Sequence, residues 1–184
     1  MAEALFPFGY LRDARLAAQA TSATPAVLWQ ADGRRILWAN GAAATLAGAS
    51  SVADLAARTL DADDTIAAQI AGLADSLPAN GSPRIATLPS FDGQADHTLT
   101  GLCARLTVGD TEAILVVGTA AVSPAVPLAD RLRLMLGDSD APVAAFAPDG
   151  NLLHATRTAA DLLPAGATLA TLQTTALAAQ AIAQ

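Results

Sequence analysis

Apolar positions recur along this chain with two different periods, and the alternation between them outlines the elements. Over residues 10–20, Leu11, Ala14 and Ala18 fall at i, i+3 and i+7 with the charges to one side, which predicts an amphipathic lead-in helix within residues 1–24. The period then shortens. Ala26–Ala31 and the run through Ile36 and Trp38 read as strands, and the Asp32-Gly33 pair between them predicts a hairpin closed by a type I′ turn, which needs positive φ at both central positions. Asn40 is placed to cap a short alanine-rich helix that Gly48 ends, and Ser51 starts another helical turn. Helical period returns over Asp61–Leu77, with acidic residues in the first turn and Ile66, Ile70, Leu73 and Leu77 on one stripe. Beyond the Pro78–Pro83 break, three strand-like runs follow at 84–88, 97–108 and 112–119, separated by Asp92-Gly93 and Gly109-Asp110. Strand, strand, helices, strand, strand, strand predicts an α+β domain over residues 25–119: a five-stranded antiparallel sheet with helices on one face.

Residues 120–141 read as a proline-containing linker and a connector helix with Leu128, Leu132 and Met135 in phase. Then the opening pattern returns. The segment from Pro25 matches the segment from Pro142 at a constant offset of 117 residues, pairing Trp29 with Phe146, Asp32-Gly33 with Asp149-Gly150, Ile36 with Leu153, Ala43 with Ala160 and Leu46 with Leu163. The second copy, residues 142–184, spans 43 residues, enough for the hairpin and first helices but not for three closing strands. The expectation is an incomplete second domain at the end of an N-terminal piece of a longer tandem-domain protein, with packing of the tail onto the first domain as the alternative.

These residues resemble the PAS sensory domain: the first strand, the Asp32-Gly33 turn, the second strand and Asn40 before a small helix look like the opening of that fold, and its element order matches residues 25–119. The resemblance implies a non-catalytic signal-input and dimerisation region. Tandem PAS domains at an N-terminus look most often like those of sensor histidine kinases of two-component phosphorelay systems, less often like cyclic-dinucleotide enzymes or transcription regulators. Haem-binding relatives take their ligand from the long helix, which has no histidine here, and the light-sensing branch carries a cysteine motif that this chain lacks. Haem and covalent flavin are therefore disfavoured, and the cofactor is left unassigned.

Composition narrows the partners. The chain carries a net charge of −7, its 10 basic residues are all arginines, and 47 of its 184 residues are alanines, so a basic nucleic-acid-binding surface is not expected. The charge-free run from Leu162 to Gln184 holds Pro164, Gly166, four threonines and three glutamines, which argues against a membrane span, and the first 20 residues lack a continuous apolar core. A cytoplasmic setting is the expectation. The single cysteine, Cys103, excludes an internal disulfide; it sits in a strand without a neighbouring base and reads as a packed residue rather than a nucleophile.

His97 and His154 each lack ligand-type partners, so no metal site is expected. Asp61, Asp63 and Asp64 fit a helix N-terminus as well as a cation site. Arg84 and Arg105 lie on sheet strands and could converge on an anion, although solvated strand ends explain them equally. The ligand-pocket candidates are Trp29, Trp38, Leu46, Ile66, Ile70, Leu99, Arg105 and Leu115, between sheet and helices. Three partners are expected: a small-molecule ligand, a second copy of the chain meeting it through helix 10–20, and a downstream effector domain reached through strand 112–119 and the connector. A structural scaffold without a ligand is the rival reading.

Overall fold

A computed structural model describes residues 8–61, 63–90, 98–122, 124–137 and 139–172. After a 3₁₀ turn at Tyr10–Arg12, Asp13 accepts a hydrogen bond from the Arg15 amide (2.9 Å) and caps helix α1, Ala14–Ala20. Because that cap restarts the helix, Leu11 is out of phase with it. Leu16 and Ala20 are the buried pair, whereas Ala14 and Ala18 of the expected stripe are exposed. The helix thus turns Leu16 and Ala20 into the molecule's own core and leaves Ala14, Ala17 and Ala18 on its exposed side.

The expected order of elements follows: β1 (Ala26–Gln30), β2 (Ile36–Ala39), α2 (Gly41–Leu46), α3 (Val52–Ala57), α4 (Thr65–Ser76), β3 (Arg84–Pro89), β4 (Thr98–Val108) and β5 (Thr111–Gly118). The strands form one antiparallel sheet in the order β2-β1-β5-β4-β3, so the three later strands join the opening hairpin through β1 and β5. This is the α+β, PAS-like architecture that the pattern predicts. Helix α4 is shorter than expected. The Asp64 side chain accepts from the Ile66 amide (2.8 Å) and starts the helix at Thr65, leaving Asp61 and Asp63 ahead of it.

Register decides which side chains share a face. Leu28 stands opposite both Trp38 and Leu115, and Trp29 opposite both Ile36 and Ile114, with a bulge between Leu28 and Trp29 that leaves Leu37 unpaired. Successive strand residues point to opposite faces, so Trp29 and Ile114 share the face toward α3 and α4, while Leu28, Trp38 and Leu115 share the outer one. All five are buried. Both faces of β1 are therefore covered, and Leu16 and Ala20, with the partly buried Phe8, Tyr10 and Leu11, join the same core. Cover ends at the far edge: Ile85 and its cross-strand partner Leu102 are 71% and 43% exposed.

Asn40 ties three segments together. Its buried Oδ1 accepts from the amides of Ala26 (3.1 Å) and Ala43 (2.9 Å), and its Nδ2 donates to the carbonyls of Gln19 and Thr24 (both 2.9 Å). The end of α1, the start of β1 and the first turn of α2 all meet on one amide.

The second half repeats this local geometry. After α5 (Leu128–Leu136) come β6 (Ala144–Phe146), β7 (Leu152–Ala155) and α6 (Arg157–Ala160). Thr156 takes the part of Asn40: its Oγ1 accepts from Val143 N (3.0 Å) and Ala159 N (3.4 Å) and donates to Ala141 O (2.8 Å). Register corrects the constant offset. Gln30 N closes the first turn on Arg35 O, but Ala147 N closes the second on Asn151 O, so the second loop is one residue shorter. The offset is 117 residues up to the turn and 116 after it. Ile36 then corresponds to Leu152, Trp38 to His154, Ala43 to Ala159 and Leu46 to Leu162.

Ahead of the hairpin, an offset of 116, one residue less than that of the first strand, aligns the buried Leu132 and Leu136 of α5 with Leu16 and Ala20 of α1, so the connector occupies the chain position of a second lead-in helix. It packs on α2, α3 and β7. Gly41 makes the approach possible, since a Cβ there would lie 2.2 Å from the Arg131 carbonyl oxygen. From the same residue, Nη1 donates to Val126 O (2.9 Å) and Nη2 to Thr21 O (3.0 Å). The two hairpins differ in cover: Ile36 is 6% exposed and its counterpart Leu152 39%.

Candidate functional site

A half-open cavity of about 200 Å³ lies between the inner face of the sheet and α3–α4, lined by Trp29, Ile36, Leu55, Arg58, Leu60, Ile66 and Ser90. Strand alternation aims Trp29 inward, and the bulge brings Ile36 beside it. Leu55 comes from α3, which Ser51 caps by accepting from the Asp54 amide (3.0 Å). The extended segment beyond α3 is pinned to the first hairpin, with Thr59 bridging Arg35 and Leu60 N donating to Arg34 O (3.0 Å), and this places Arg58 and Leu60 at the wall. Ile66 comes from the first turn of α4 and Ser90 from the end of β3.

The walls are apolar and the polar groups few. Arg58 is partly exposed; Nη1 donates to Ala47 O (3.2 Å) and Nη2 lies 3.5 Å from the Asp54 carboxylate. Asp54 is held below its usual carboxylate range chiefly by the Ser50 amide, with the Ser50 hydroxyl and Arg58 assisting. Ser90 is only 8% exposed and lines the cavity.

Of the residues expected to form a pocket, the structure brings Trp29 and Ile66 together in this cavity. Ile70 is fully buried in the core cluster, and Leu99 is partly buried on the inner face of β4. Leu46 is half-buried at the end of α2. Trp38 and Leu115 lie on the outer face, because each stands opposite Leu28, one step out of phase with Trp29. Arg105 shares the inner face but is committed elsewhere: Nη1 donates to Ala74 O (3.1 Å) and Nη2 to Glu112 Oε1 (2.7 Å). Arg84 donates weakly to Ser76 O (3.5 Å). Instead of converging on an anion, the two arginines reach carbonyls in the last turn of α4, where cations complement the helix dipole.

Pattern reading missed Ile36, Leu55, Arg58, Leu60 and Ser90. The Val52–Leu55 apolar pair was a legible signal for α3; the bulge that turns Ile36 inward and the loop path that delivers Arg58 and Ser90 left none.

Elsewhere, Cys103 is fully buried, and burial pushes its thiol up to about 11, so it is protonated at neutral pH and a poor nucleophile. Burial, and secondarily the Arg133 guanidinium, pushes His154 below its ordinary value; its buried Nε2 has no partner among the described residues. His97 lies outside the described residues. Among those described, no three His, Cys, Asp or Glu side chains gather as metal ligands, and no helix is long and apolar enough to cross a membrane.

No curated protein matches the chain. A family model described as PAS domain matches residues 14–81, a span that runs from α1 through the β1–β2 hairpin to the end of α4 and contains six of the seven cavity-lining residues. The helical cover, the first hairpin and most of the cavity wall thus fall in the segment that is similar to a PAS domain, a non-catalytic module generally used for signal input.

Proposed function

We propose that this chain is the signal-input region of a larger signalling protein and that it senses a small molecule in the cavity between the sheet and α3–α4. The observation that carries this reading is the cavity itself. In a domain with an otherwise closely packed core rich in alanine and branched aliphatic side chains, about 200 Å³ remains open between the sheet and α3–α4, walled by five apolar side chains, a guanidinium and a hydroxyl. A ligand that favours one packing of α3 and α4 shifts a two-state equilibrium, and α5, packed on α3, is the element placed to feel it.

Residues 142–172 support reading the second hairpin as the start of another PAS-like unit, since cap, bulge and turn recur there. On that tandem arrangement rests the finer assignment to the input region of a cytoplasmic two-component sensor histidine kinase acting as a homodimer. A cyclic-dinucleotide enzyme or a transcription regulator is the alternative parent. Native mass spectrometry of the purified chain tests the sensing role, with a retained small molecule as the expected result. A second reading, a ligand-free interaction scaffold, draws on the exposed Ile85–Leu102 pair. It prevails if the chain is repeatedly ligand-free and no small molecule raises its melting temperature.

A further inference from the structure

We infer that the cavity ligand is a small hydrophobic carboxylate, its apolar body against Trp29, Ile36, Leu55 and Ile66 and its charged head between Arg58 and Ser90. The inference rests on the sensing role proposed above and adds the chemical class. Size comes first. A cavity of about 150 Å³ holds benzene, so the roughly 200 Å³ here suits a molecule of about eight to ten non-hydrogen atoms, too little for a nucleotide, haem or flavin.

The lining sets the polarity. Five of the seven residues are apolar, and the other two present only donors to an anion: a guanidinium and a hydroxyl. Ser90, a mostly buried residue at the wall, adds a hydroxyl that can donate to an acceptor. Turning to the cavity, Arg58 gives up the bond from Nη1 to Ala47 O (3.2 Å) and its contact with Asp54. Its contact with Asp54 is long, at 3.5 Å, and partly exposed, whereas Asp54 keeps the Ser50 amide (3.0 Å) and hydroxyl (3.2 Å) when the guanidinium turns away. A planar guanidinium binds a carboxylate through two parallel N–H···O bonds, which makes a carboxylate its natural match in a recess of this size.

Benzoate and benzamide, nearly equal in shape, test the class. Titrating the whole chain with each, followed by tryptophan fluorescence and ligand-observed NMR, is expected to show benzoate binding at least tenfold tighter. Arg58→Gln should remove that preference while leaving benzamide affinity within about threefold, and retained benzamide binding certifies that the variant is folded. Ser90→Ala should weaken both ligands by a few-fold. Equal affinity for the two ligands in the wild-type chain, or a benzoate preference that survives Arg58→Gln, overturns the carboxylate assignment. Toluene then separates the two levels of the argument: if it binds where benzoate does not, the cavity stands and only the anion is lost, and if none of the three binds, the sensing role falls as well.

Discussion

Gly33 and Gly150 occupy the same place in two Asp-Gly turns, yet they answer to different constraints. Both have positive φ, 74° and 87°, so an L side chain at either is strained by about 1–2 kcal/mol. Only Gly33 is also crowded: a Cβ there would stand 2.3 Å from the Ala67 carbonyl of α4, while at Gly150 the nearest atom is 3.6 Å away. Gly150→Ala should therefore cost about 1–2 kcal/mol and Gly33→Ala about 2–5 kcal/mol, because the second adds overpacking to strain. Urea midpoints of the two variants check the ranking, and equal shifts would refute it. The Asp-Gly dipeptide was legible as a turn. The loops nonetheless hold four and three residues, not two, since each aspartate accepts from the amide two residues on (Asp32 from Arg34, Asp149 from Asn151) and widens the turn.

Helix α5 shows how an element can look like a connector and pack as a wall. Its Leu132, Met135 and Leu136 are buried, and it reaches α2 only because Gly41 carries no side chain. Gly41→Val is expected to push α5 off α2 while leaving the five-stranded sheet intact. Hydrogen exchange should then show faster exchange over residues 128–136 than in the wild type, with β1 and β5 amides unchanged. Unaltered protection of α5 would mean that the close approach does not hold it. Helix α1 is fixed to the fold on one side through the bond from Asn40 Nδ2 to Gln19 O and through Leu16 in the core, with Ala14, Ala17 and Ala18 exposed on the other.

Across the whole molecule, the first hairpin is closed on both faces and at the β1 edge by β5, whereas β6 has no neighbour but β7 among the described residues. The second unit is accordingly the place where solution conditions act first. His154 sits there with its protonated form disfavoured by burial and by Arg133, so its folded-state value lies below the ordinary 6.5. Above that ordinary value the side chain is neutral whether folded or unfolded and the fold loses nothing. As pH falls through it, the unfolded chain takes up the proton first and stability declines. Thermal melts from about pH 7.5 to about pH 5.5 should show this fall, and His154→Leu should flatten it. A slope unchanged in the variant would assign the effect to other groups.

Local features of the chain determined the elements, because their causes are local: strand period, the caps at Asn40 and Ser51, the glycine turns and the apolar stripe of α4 are all written within a few residues. The repeat, too, was visible as a recurrence of those signals. What only the folded chain decided were the relations that depend on phase and register. A bulge turned Ile36 toward Trp29, the pairing with Leu28 sent Trp38 and Leu115 to the opposite face, and a one-residue difference in loop length shifted every correspondence after the second turn. Because strand side chains alternate with period two, a single inserted or omitted residue reverses which face each one takes, and that depends on contacts made by residues far apart in the chain.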